Sequence, residues 1–185
     1  MKALPLILFG VVALAQWAAP LLQIWTHEQT LAQGTLIKLK CTAPDPYDPL
    51  RGRYLAVSPV QREVTLPKDM QLEDGMPVYA TLTPDADGLT TLSAVSLTPP
   101  ESGNYVRLKT RYVYDSKAAV EWPFDRYYIN EKLAPEADKW FAENIRTKAI
   151  TAEVRVHKGR AVLADLSLDG KPFREILKQR VSAPK

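Results

Sequence analysis

The chain is poor in the side chains on which most catalytic and metal-binding sites are built. It has one cysteine, Cys41, and two histidines, His27 and His157, in 185 residues. A single thiol excludes an intramolecular disulfide and any cysteine-rich metal site. A Ser-His-Asp triad needs a histidine that reaches a serine beside an orienting acid. His27 falls at a predicted membrane surface and His157 at a predicted hairpin tip, so both read as bystanders. The same scarcity leaves no zinc ligand set of ordinary type, and no glycine-rich phosphate loop occurs. Basic residues never run longer than two, acids are interleaved with them, and the net charge is only +3, which argues against nucleic acid as a partner. No metal and no cofactor is expected.

What the chain does have is proline, fifteen against eight glycines, and a nearly half apolar composition. That balance predicts a loop-rich β protein with one good core. Ahead of it, residues Ala3 to Trp25 carry no charge and are interrupted only by Gln16, Pro20 and Gln23. As a helix this stretch reaches roughly 35 Å, enough for a hydrocarbon core of about 30 Å. Trp17 and Trp25 suit an interfacial position, and Lys2 is the one basic side chain beside the segment. The N-terminus is therefore expected in the cytoplasm and the body outside. A cleaved signal peptide is the competing reading, because Ala13-Leu14-Ala15 fits a small-x-small site. Cleavage there would leave a mostly apolar tail from Gln16 to Trp25, so an uncleaved anchor is preferred. Thr26 to Gln33 reads as a polar continuation of the helix, stopped at Gly34.

The body alternates like half-buried strands. Leu36 to Thr42 places Ile37, Leu39 and Cys41 on one side, with Cys41 in the buried row. Asp45-Pro46-Tyr47-Asp48-Pro49 is a turn-forming loop, read in preference to a calcium site, and it leads into Arg51-Gly52-Arg53-Tyr54 and a strand over Tyr54 to Val57. Glu63 to Pro67 reads as a short edge segment. Val78 to Leu82 and Leu89 to Leu97 form a hairpin across Asp85-Ala86-Asp87-Gly88.

In the strand from Asn104 to Asp115, Val106, Leu108, Thr110, Tyr112 and Tyr114 share one face. Tyr105, Arg107, Lys109 and Arg111 make the other a basic stripe, either a solvated face or an anionic binding surface. Ala118 to Trp122 and Tyr127 to Ile129 are expected to pair with it. Pro135 to Ile145 reads as a helix whose aromatic face covers the sheet. Ile150 to Val156 and Arg160 to Leu168 form a hairpin turned at Lys158-Gly159, and the charged tail after Phe173 adds one helical turn or frays. An echo of Gly52-Arg53-Tyr54-Leu55-Ala56-Val57 in Gly103-Asn104-Tyr105-Val106-Arg107-Leu108 raises the possibility of two related units.

The expected fold is therefore mainly β with one or two short helices, either barrel-like or two small packed β units, after a single N-terminal transmembrane helix. The expected divisions are an anchor with its juxtamembrane helix over 1–33, a β-rich extracytoplasmic domain over 34–178 with possible halves 34–100 and 101–178, and a flexible tail over 179–185.

With Glu28, Leu31 and Gly34 before the first strand, and Asp48, Leu50, Gly52 and Tyr54 in the loop, the chain resembles the GDYXXLXY family of bacterial membrane-anchored proteins. Tyr127-Tyr128-Ile129-Asn130-Glu131 resembles the family's second patch. Arg53 stands where the name-giving motif has aspartate, Val57 where it has leucine and Pro59 where it ends in tyrosine. The resemblance implies a multi-spanning membrane-protein partner, an inner-membrane location with the domain in the periplasm or outside the cell, and no substrate.

On these grounds the expected function is a non-enzymatic binding or assembly module. Its interaction surface is drawn from Asp48, Arg51, Gly52, Arg53, Tyr54, Tyr105, Arg107, Tyr127 and Glu131, since tyrosine and arginine favour interface centres. The alternative is a membrane-anchored hydrolase, using Ser58 with a lysine or a carboxylate pair such as Asp125 and Glu131.

Overall fold

A computed structural model of the chain describes residues 3–42, 54–67, 70–130, 133–137, 140 and 150–182. Helix α1 (Ala3–Gln33) passes unbroken through Pro20, although proline removes one ladder hydrogen bond there. Within it Ile7–Gln33 is long and apolar enough to cross a membrane, and its large apolar side chains, Phe9, Leu14, Trp17 and Trp25 among them, are exposed. The helix ends where expected, at Gly34, whose N–H donates to the Thr30 carbonyl at 3.0 Å.

No linker separates the helix from the domain. Thr30 is 1% exposed, and its hydroxyl donates back to the Thr26 carbonyl at 2.8 Å. A Cβ on Gly34 would lie 2.3 Å from the Thr30 carbonyl oxygen and 3.0 Å from the Val156 nitrogen, so only glycine allows this approach. Arg155 adds a hydrogen bond from its guanidinium to the Gly34 carbonyl at 2.9 Å.

Strands β1 (Thr35–Thr42), β3 (Ser58–Pro59), β10 (Ile150–His157), β11 (Arg160–Leu168) and β12 (Lys171–Pro172) form one antiparallel sheet in the order β12-β11-β10-β1-β3. The alternation legible in the sequence is its cause: Ile37, Leu39 and Cys41 face inward opposite Ile150, Ala152, Val154 and Val156. The second sheet contains β4 (Glu63–Thr65), β5 (Pro77–Pro84), β6 (Thr90–Ser96), β7 (Tyr105–Tyr114) and β8 (Lys117–Glu121), in the order β4-β8-β7-β5-β6. Strands β2 (Tyr54–Ala56) and β9 (Arg126–Tyr128) make a separate ribbon.

The two sheets share one core, and contacts at two places close the structure, one between the sheets and one between the outer strands of the second sheet. At the β10–β11 turn, Lys158 (φ 48°) and Gly159 (φ 78°) take the left-handed pair that a two-residue hairpin needs. The Gly159 carbonyl there accepts the Arg107 N–H at 2.8 Å. At the other place the Gln61 side-chain amide bonds both backbone groups of Leu92, at 2.9 and 2.7 Å. The result is a nearly closed, barrel-like sheet, as the mainly β reading requires. The helical turn α2 (134–137, continued at Trp140) and helix α3 (Phe173–Ser182) cover one side, where Trp140 packs on Phe173 with ring centroids 5.6 Å apart.

Several expectations need correction. The strands do not divide at residue 100, because β1 pairs with β10 and β5 pairs with β7. The echoed segments lead to different places, β2 in the ribbon and β7 inside a five-stranded sheet. Strand β9 pairs with β2 and not with β7. A bulge between Thr110 and Tyr112 reverses the phase of β7, so Tyr112 and Tyr114 are exposed instead of following Thr110 inward. The tail forms a ten-residue helix, anchored by the buried Phe173 and Leu177, which runs into the residues expected to be flexible. Of the helix expected over Pro135 to Ile145, residues 138, 139 and 141–145 lie outside the described residues.

Candidate functional site

The residues singled out in the sequence separate into three groups. Asp48, Arg51, Gly52, Arg53 and Glu131 lie outside the described residues, as does the Asp-Pro-Tyr-Asp-Pro loop. Tyr105 and Tyr127 are built into the fold. Arg107 lines a groove, and the half-buried Tyr54 lies on the ribbon beside it.

Tyr127 points inward, which removes it from the expected surface. Its hydroxyl donates to Asp165 Oδ1 at 2.6 Å and accepts from Arg174 Nε at 2.9 Å, while its ring packs on Phe173 at 6.2 Å. Burial, reinforced by the Asp165 hydrogen bond and opposed by Arg174, pushes the phenol up to about 12. Successive strand residues face opposite ways, so the exposed member of the pair is Tyr128. Tyr105 packs edge-on against Tyr79 at 5.9 Å and fills the space that a side chain on Gly159 would need. It holds the seam between the sheets.

Tyr54 sits opposite Tyr128 in the β2–β9 ribbon, with ring centroids 6.3 Å apart. The Arg126 guanidinium lies 4.9 Å over the Tyr54 ring and 3.6 Å from Asp125. Its contacts with Tyr128 and then Asp125 favour the charged form further. The ribbon runs straight into a groove wall, because the Val57 N–H donates to the Asp125 carbonyl at 2.8 Å and both residues line the groove.

The groove has a volume of about 870 Å³. Its floor is the outer face of β7, where Arg107, Lys109 and Arg111 project at alternate positions, roughly 7 Å apart along a strand. None of the three forms a side-chain ion pair or hydrogen bond with another described residue. Arg62 adds a fourth cation at the rim, held by hydrogen bonds to the Ser58 hydroxyl and the Pro59 carbonyl. Glu121 and Asp125 are the acidic members of the lining.

One wall is aromatic: Trp122 and Phe124 lie 5.7 Å apart, and the indole N–H donates to the Gln61 carbonyl at 3.0 Å. On the other side Thr110 clamps the 73–76 turn through the Glu73 carbonyl at 2.8 Å and the Met76 carbonyl at 3.1 Å. Such a cavity attracts anions through unpartnered cations and can hold an apolar or flat group against its aromatic wall.

The residues expected to carry chemistry take other roles. The Ser58 hydroxyl faces the Arg62 guanidinium, which does not accept a proton at any physiological pH. Cys41 is buried, and desolvation pushes its thiol up to about 12, so it is inert near neutrality. Among the described residues no three His, Cys, Asp or Glu side chains converge as a metal site. Sequence reasoning identified the stripe on β7 but missed Arg62, Trp122, Phe124, Arg126 and Tyr128. Of these, only the closely spaced aromatics from Trp122 to Tyr128 gave a local signal.

Comparison with curated proteins and with solved structures found no match in either. A family model described as GDYXXLXY protein matches residues 16–166, a span that includes more than half of α1, all of the second sheet, the first sheet except β12 and the end of β11, and every residue of the groove. The chain therefore belongs to the GDYXXLXY family.

Proposed function

We propose that the protein is a single-span, membrane-anchored binding module that offers a cationic, aromatic-walled groove to an acidic segment of a membrane-protein partner, on the outer side of a bacterial inner membrane. The observation that carries this reading is the row Arg107, Lys109 and Arg111, left without partners among the described residues on the floor of a groove. Three cations along one strand, unpaired among the described residues, match acidic side chains of an extended chain laid over it. Tyr54, Arg126 and Tyr128 extend this surface beyond the groove and supply the aromatic and arginine contacts that dominate interface centres.

The anchor supports the same reading. With α1 joined to β1 through Gly34 and Arg155, the groove is held in a fixed relation to the helix end. A module that positions a partner needs such rigidity more than an enzyme free to meet diffusing substrate does. The decisive experiment is co-purification of the full chain from detergent-solubilised membranes, with Lys109→Glu and Arg111→Glu introduced singly and together. The expected result is a partner lost stepwise with each reversal while the melting temperature stays constant. Retention of the partner by the folded double variant would refute the groove as its site.

A further inference from the structure

The β10–β11 hairpin packs against the C-terminal part of α1. The charge-free part of α1 ends at Trp25, and the same helix continues to Gln33. On that continuation Thr26 and Gln29 are half-buried and Thr30 is fully buried, and the elements that contact α1 are β10 and β11. Strand β10 pairs with β1 as far as Thr35↔Val156, then runs on through His157, past the start of β1, before turning back at Arg160. The turn therefore lies alongside the last turns of the helix and not at the far end of the sheet.

Depth follows from the helix rise. Thr30 stands about 7.5 Å beyond Trp25 along the axis. The polar layer on each side of a bilayer is roughly 5–8 Å thick. With Trp25 at the hydrocarbon boundary, the turn reaches the level of the phosphates.

At that level the hairpin presents Lys158 and Arg160, both exposed and neither in an ion pair with a described residue. The half-exposed His157 lies between the turn and the sheet. Among the described residues the acids on this side include Glu28 on the helix and Asp85 and Asp87 in the β5–β6 turn, of which Asp87 borders a small cavity with Thr35 and Leu36. We propose that the β10–β11 turn is a lipid-contact site, in which Lys158 and Arg160 bind the phosphates of acidic phospholipids and so fix how the domain stands on the bilayer. This contact uses other side chains than the groove, which it meets where the Gly159 carbonyl accepts the Arg107 N–H, and like the proposed function it rests on the retained anchor.

The test uses the full chain in nanodiscs of phosphatidylcholine alone or mixed with phosphatidylglycerol. The readout is the rate at which a water-soluble acylating reagent modifies Lys158, followed by mass spectrometry, with Lys117 at the opposite end of the fold as reference. Acidic lipid is expected to slow Lys158 about fivefold relative to Lys117, the effect of one basic residue held at an anionic surface. Added salt and Arg160→Glu should each shrink the difference. Equal rates in the two bilayers would overturn the lipid contact. So would equal protection by inorganic phosphate in phosphatidylcholine discs, which would mark the turn as a site for free phosphate. A chain that leaves the discs without detergent would instead remove the anchor, and the contact with it.

Discussion

Two sets of basic side chains, one beside the anchor and one in the groove, are used in opposite ways. On the anchor side Arg155 donates to the Gly34 carbonyl, and Arg174 on α3 reaches the Tyr127 hydroxyl, with Asp165 close by at 3.7 Å. These guanidinium groups hold backbone and buried polar atoms that would otherwise lie unsatisfied. On the groove side Arg107, Lys109 and Arg111 find no such acceptor among the described residues, and only Arg62 is tied to its own strand region. The difference teaches that composition and charge count say little about a cation's role. What decides it is whether the fold brings an acceptor within about 3 Å.

The comparison can be broken most severely on the anchor side. Phe173→Ala removes a fully buried ring that touches both Tyr127 and Trp140, and should cost about 3–5 kcal/mol in a denaturant melt. Gly34→Val drives a side chain into the Thr30 carbonyl, and about 1–3 kcal/mol is expected from overpacking alone. Limited proteolysis between Gln33 and Thr35 should rise with it, because the helix can no longer seat against β10.

Tyr127→Phe is the sharper probe. It removes the hydroxyl between Asp165 and Arg174 without opening a cavity, and because Asp165 keeps the Leu166 N–H and Arg174 is exposed, about 0.5–1.5 kcal/mol is expected. It also changes the pH response. Because the folded-state phenol is raised to about 12, its contribution is complete below the ordinary tyrosine value near 10 and is lost as pH climbs through 12. Wild-type stability should therefore fall across that window, and the variant should fall less. On the groove side, the Lys109→Glu and Arg111→Glu reversals should alter stability by less than about 0.5 kcal/mol, because neither side chain supports the fold. A destabilisation equal to that of Tyr127→Phe would erase the contrast between the two sets.

Much of the fold was legible in the chain because period-two alternation is a local signal. It located β1, β10, β11 and β7 up to Thr110, together with both long hairpins. It failed where one residue shifts the phase, as at the bulge that turns Tyr112 and Tyr114 outward. It could not assign faces to Tyr127 and Tyr128, since adjacent residues on a three-residue strand differ only through the register with β2. Helix α3 escaped because Phe173 and Leu177 are two apolar anchors in a charged segment. The groove was half visible: its floor follows from one strand, whereas Arg62 and the Trp122 to Asp125 wall arrive through long-range pairing that no spacing reveals.

The Gln61 amide has a wider consequence. Strands β4 and β6 are the two outer members of their sheet, and Gln61 stands two residues ahead of β4 while gripping Leu92 in β6. A single side chain thus completes the ring where a peptide neighbour is missing, giving one N–H and one C=O of the exposed margin the partners another strand would supply. Held in a bilayer as proposed, where copies would meet side by side, the protein would be guarded by that plug against strand-to-strand sticking between molecules.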